Sequence, residues 1–211
     1  MKRFISTVIA CFLILILPST TMALPHYGTF PFWYSDSTSI GRFETTNNTV
    51  GFAIESGAAM TAENLIAYTD HALFTAWPLR NYTYTGTDYN SARLKVAVIT
   101  RGTANNLGLP SNAVGVNGWV GHYISATGSY GGITRAIFTI PRYQTFLVWD
   151  SITRNFSTNQ WRNVSSHEHG HGIGYAGHNS NSTQLMFHQM NSATTAQLQD
   201  KRHMRNMYTI D

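Results

Sequence analysis

The chain has 211 residues, 43% of them apolar, enough for one globular domain with a sizeable core. Only 11% are charged, and the formal charge is +4. Setting aside Lys2 and Arg3 brings the balance to about +2, too weak to argue for nucleic acid or an anionic surface as partner.

Residues 1–23 read as a secretory signal peptide. Lys2 and Arg3 precede an apolar run from Phe4 to Leu17, and Pro18 to Ala23 offers small residues, with cleavage expected after Ala23. The rival reading, a membrane anchor, needs a longer run and a basic stop-transfer flank. Secretion, with no membrane attachment after cleavage, is therefore the expectation. The single cysteine, Cys11, falls inside this segment. The mature protein then has no internal disulfide, and any staple comes from metal.

Residues 24–45, rich in Tyr, Thr, Ser and Pro, read as an irregular N-terminal arm, and 46–211 as the folded domain. Thr49 to Ser56 alternates loosely and predicts a strand. Thr61 caps a helix that carries Leu65, Ile66, Leu73, Phe74 and Trp77 and stops at Pro78. Asn81 to Thr85 and Leu94 to Thr100 are β-branched and aromatic and predict strands. Gly115 to Ile124 and Ile133 to Ile140 follow as strands, separated by glycines around Gly128, Gly131 and Gly132. Thr145 to Trp149 precedes a helix over about Thr158–Gly174, and a helix over Ser192–Tyr208 closes the chain. The order predicts an α/β (α+β) domain: a mixed, twisted sheet of about five strands with an active-site helix, a backing helix and a C-terminal helix. Asn163-Val164-Ser165 is an Asn-x-Ser triplet, but inside the helix over about 158–174 it reads as chance.

The chemistry concentrates in His167-Glu168-His169-Gly170-His171, a His-Glu-x-x-His string. On a helix, residues four apart share a face about 6 Å apart along the axis, so His167 and His171 can bind one ion. Glu168, rotated by about 100°, flanks that ion and is free to act as general base. Gly174 allows a sharp turn that returns a third ligand. No glutamate follows Glu168, which closes one way of completing the site. His178 is the natural third ligand, with Asp200 a remote alternative. His169 points away from its neighbours' face and reads as a supporting or surface residue.

The segment resembles the metzincin clan of zinc endopeptidases, whose pattern is HExxHxxGxxH followed by a methionine turn. Within the clan it is most similar to the matrixins. Val164-Ser165-Ser166-His167-Glu168 is similar to their entry into the active-site helix. Met186, eight residues after His178, corresponds to the Met-turn residue beneath the metal. Leu94 to Gly102 is similar to a matrixin strand and its exit, and Leu198 to Tyr208 to the closing helix. The resemblance implies a zincin-like fold, one catalytic zinc ion, and His167, His171 and His178 as ligands. It also implies Glu168 as the catalytic carboxylate and an extended polypeptide as substrate along an edge strand, read as Gly115 to Ile124. No other partner is expected, and the protein is expected to be a monomer.

Two departures stand out. His178 lies seven residues after His171, where the family has six, so Tyr175-Ala176-Gly177 must absorb an extra residue. Where matrixins have Pro-x-Tyr after the Met-turn, this chain has His188-Gln189-Met190. His188 and Met190 are then expected in the substrate-pocket wall, His188 alternatively assisting at the metal. The other reading of the chain is a zinc-stabilised extracellular binding module without catalysis.

Overall fold

The computed structural model describes residues 39–43, 48–78, 82–84, 89–120, 123–130, 133–175, 178–201 and 204. The expected signal peptide, most of the expected arm, the glycines at 131 and 132, residues 176–177 and the end of the expected last helix lie outside these.

The strands are β1 (Ser39–Phe43), β2 (Asn48–Ile54), β3 (Tyr82–Tyr84), β4 (Leu94–Thr100), β5 (Gly115–Trp119), β6 (Tyr123–Tyr130), β7 (Ile133–Ile140) and β8 (Tyr143–Trp149). The helices are α1 (Ala62–Asp70), α2 (Arg101–Asn106) and α3 (Thr158–Gly172). Strands β3-β2-β4-β8-β5 form a five-stranded sheet in that order. Its first four strands run parallel, and the edge strand β5 is antiparallel to β8. The result is a mixed α/β fold with a mixed five-stranded sheet of about the expected size, although Ile133 to Ile140, expected in it, lies in another sheet.

A second sheet, β1-β7-β6, corrects three expectations. Ser39–Phe43 lies in the stretch read as an irregular arm, yet it pairs in parallel with β7, Ser39 opposite Ala136. Gly115 to Ile124 is not one strand. β5 stops at Trp119, Val120 N–H donates to the Arg142 carbonyl, and Ile124 belongs to β6. The glycine-rich stretch extends β6 to Tyr130, which pairs with Ile133 across a two-residue connection, so Gly128 sits in the strand and not in the turn.

The period-two pattern of the central strands divides the core. Leu94, Val96 and Val98 of β4, with Tyr143 and Leu147 of β8, pack with α1 and α3 residues such as Leu65, Trp161 and Val164. The intervening Ala97, Ile99, Phe146 and Val148 pack with Ala104 of α2 and Leu109 on the opposite face. Each large apolar side chain buried in this way contributes about 1.5–3 kcal/mol.

Thr61 caps α1 as expected, its side chain accepting from Asn64 N–H. After Asp70 the helix widens into a π-helical turn, His71–Ala76, and ends at Trp77. Among the residues expected to form the last helix, only 198–201 and 204 are helical within the described set. Residues 192–197 are not: Ala193 and Asn191 bond instead to each other and to α3, and Thr194 and Thr195 are poor helix formers.

Candidate metal centre

Helix α3 is framed by local chemistry. Ser157 and Gln160 form a capping box, Gln160 Oε1 accepting from Ser157 N–H at 2.8 Å. At the other end Tyr175 N–H donates to the Gly170 carbonyl and Gly174 N–H to that of His171, a Schellman stop. Gly174 sits at φ 112°, a left-handed conformation that side chains disfavour. The expected sharp turn is therefore present. Gly174→Ala is expected to cost about 1–2 kcal/mol of stability, read by chemical denaturation.

The turn brings three imidazoles together. His167 and His171, one helical turn apart, have ring centroids 4.9 Å apart. His178 comes back to 5.2 Å from His167 and 5.0 Å from His171. One ring nitrogen from each lies within 4.8 Å of the others. The seven-residue step from His171 to His178 closes.

The donor set fits a metal. His167 Nδ1–H donates to the Leu185 carbonyl at 2.9 Å, and His171 Nδ1–H to the Tyr175 carbonyl at 2.7 Å. With Nδ1 protonated, each Nε2 carries a lone pair, and these two nitrogens face each other at 3.2 Å. Two facing lone pairs need a cation between them. Tetrahedral zinc with bonds of about 2.0–2.1 Å spaces its nitrogen ligands about 3.3 Å apart. Burial holds His167 below the ordinary imidazole range, with His188 adding to it against the Leu185 bond. Burial also takes His171 well below that range, reinforced by its two histidine neighbours. His178 is pushed down to about 3, by burial first and then by His167 and His188. All three are neutral at pH 7, the form that binds metal.

Glu168 is not in the ligand cluster. Its side chain is buried, and that burial raises its carboxyl to about 8. It lies between α3 and β5, against Gly115. Met186 is fully buried, packed with Trp77 against the Gly170 face of α3, under the helix that carries two of the imidazoles. His188 and Met190 are exposed on the loop that follows. The His188 ring stands 6.5 Å from that of His178 and packs on Phe187 at 4.3 Å.

Asp200 is not a ligand. It is fully buried, and its Oδ2 accepts from Leu185 N–H at 2.9 Å and from Gln197 N–H at 3.2 Å. The Leu185 peptide thus links Asp200 to His167. Asp200→Ala strands buried donors and loosens that link. We expect a loss of about 2 kcal/mol or more in denaturation and roughly tenfold weaker binding of a probe metal such as zinc in a competitive chelator titration.

Several supports were invisible to pattern reading. Trp119 Nε1–H donates to the His171 carbonyl at 2.9 Å, and Trp77 Nε1–H to that of Ser166 at 2.6 Å. Asn163, the asparagine of the chance glycosylation triplet, is buried and donates to Asn191 Oδ1 at 3.0 Å, which clamps the Met186 loop to α3. His169 is buried, and not at the surface, with its Nδ1 hydrogen-bonded to the Tyr143 hydroxyl at 3.2 Å. Each is a tertiary contact with no sequence spacing to betray it.

A mixed α/β fold carrying three histidines able to bind one metal ion is consistent with a zincin. No protein-family model matches the chain, and no curated protein matches its sequence.

Proposed function

We propose that the protein is a secreted zinc-dependent endopeptidase of the metzincin clan, with a zincin-like, matrixin-type catalytic domain. The observation that carries this reading is the cluster of three neutral imidazoles, with a buried carboxylate next in sequence left outside the ligand set. A structural zinc site has no use for that carboxylate.

His167, His171 and His178 would hold the zinc ion. When bound, zinc supplies Lewis-acid chemistry, making water acidic near neutral pH and polarising a carbonyl. Glu168, which burial keeps protonated, would ionise more readily beside a bound cation. The Glu168 carboxylate then takes the proton of the attacking water and passes it to the leaving amine. The Leu185 and Tyr175 carbonyls hold the His167 and His171 rings in the ligating tautomer. The edge strand β5, beside Glu168, would align an extended polypeptide by strand addition, and His188 and Met190 would wall its pocket.

In this reading the partner is an unstructured polypeptide, with no nucleic acid and no membrane, and the protein acts as a monomer. No helix among the described residues is long and apolar enough to cross a membrane. The test is digestion of an unstructured polypeptide by the purified zinc-loaded protein. Chelator stops cutting and one equivalent of zinc restores it. Stoichiometric zinc with no cutting on any peptide selects the zinc-stabilised binding module instead.

A further inference from the structure

Strand β5 meets α3 at a residue with no side chain. An ideal Cβ on Gly115 would lie 2.7 Å from Glu168 Cγ, 2.9 Å from its Oε1 and 2.9 Å from Val164 Cγ1. Real Cβ atoms do not approach so closely, so any larger residue displaces the carboxylate or the helix. The φ of Gly115 is not in the left-handed region, so the backbone itself does not demand glycine. The other glycine of the strand, Gly118, has open space where its Cβ would be. The constraint at Gly115 therefore comes from its neighbours alone.

Those neighbours are specific. Val164 and Glu168 are one helical turn apart on the face of α3 turned toward β5. The carboxylate oxygen is itself one of the atoms in contact. Among the described glycines, Gly170 and Gly172 also allow close approach to α3, but they admit Met186, Trp77 and Tyr143, which pack the core. Gly115 admits the acid.

We infer that Gly115 is a positioning residue for Glu168: the missing side chain on the edge strand leaves the slot in which the carboxylate stands. This rests on the reading of Glu168 as the proton carrier. The slot also explains how an edge strand offered to substrate can run directly beside the carboxylate. A side chain at 115 would either push Glu168 along the helix face or lift β5 off it.

Gly115→Ala tests this in the full-length, zinc-loaded protein. Zinc stays at one equivalent, kcat falls about 100-fold, as for a misplacement of about 1 Å, and KM stays within about threefold. Gly102→Ala, on α2, where a Cβ would meet Thr100 Oγ1 at an ordinary 3.7 Å, is the matching control and leaves all three unchanged. A Gly115→Ala protein with kcat within about threefold of the parent overturns the inference.

If the zinc-loaded parent cuts nothing, the peptidase reading fails, and the slot is judged by stability instead. In a Val164→Ala background, which removes the third contact, Gly115→Ala destabilises the protein when Glu168 is present. It costs far less when Glu168 is Ala. Equal losses in both overturn the inference. Should Gly115→Ala not fold even with Val164→Ala, recovery of folding by adding Glu168→Ala in that background supports the slot, and continued failure to fold there overturns it.

Discussion

Replacing Glu168 by Gln is expected to lower peptide hydrolysis by about 10²–10⁴-fold, while zinc stays bound at full stoichiometry. Glutamine keeps the shape of the side chain in the slot against Gly115, so packing is conserved, but its amide is no base and cannot take up the water's proton. The ligands are untouched, because Glu168 stands outside the histidine cluster. Hydrolysis at the parental rate by the variant would contradict the assigned role.

The same substitution has a second signature, in the metal-free protein. Burial raises the folded Glu168 carboxyl to about 8 from an ordinary 4.5. Between those values the folded chain holds a proton that the unfolded chain releases, so stability is lost as pH rises through that window. At about 1.4 kcal/mol per unit, the loss amounts to a few kcal/mol by pH 8. Glutamine at 168 does not titrate. Parent and variant should therefore unfold alike near pH 4.5, with the variant the more stable at pH 8. His169, pushed to about 3 by burial, works in the opposite direction, losing stability as pH falls below 6.5. It is common to both proteins and cancels in the difference. A difference curve that is flat from pH 4.5 to 8 would contradict the buried state of Glu168.

His178→Ala is the second large effect. Changes to groups that merely orient a ligand cost about 10–100-fold in metal affinity. Loss of a ligand itself is therefore expected to cost more than about 100-fold, and zinc no longer co-purifies. The loop from Asn179 to Met186 is pinned independently, by Asn179 N–H to the Met186 carbonyl and by Asp200 to Leu185 N–H. The variant therefore folds, and its deficit is confined to the metal. Unchanged zinc affinity, measured by competition with a chromophoric chelator, would mean that the third ligand lies elsewhere.

How much of this the sequence carried can be read element by element. The helix α3 and its cap, the Thr61 start of α1 and strand β4 follow from local signals: a polar cap, a period of 3.6 or 2, and β-branched residues. The triad follows from spacing on that helix and from one glycine at positive φ. What the sequence did not disclose depends on partners distant along the chain. Ser39–Phe43 becomes a strand only because β7 is there to pair with it. The break between β5 and β6 is set by the bond from Val120 to Arg142, and no turn dipeptide announces it. Asp200, read as a remote alternative ligand, is occupied by the Leu185 and Gln197 amides. Gly115 reads as an ordinary strand glycine until Glu168 is seen against it.

The extra residue between His171 and His178 is where spacing alone was least decisive. The helix stop consumes Ile173 and Gly174, and the Tyr175 carbonyl is spent on His171 Nδ1. His178 nevertheless returns to the other two rings.

Zinc K-edge X-ray absorption on the zinc-loaded parent tests this closure most directly. Three imidazole nitrogens at about 2.0–2.1 Å with one further light ligand from solvent is the expected shell. A shell of two imidazoles completed by a protein carboxylate would contradict it.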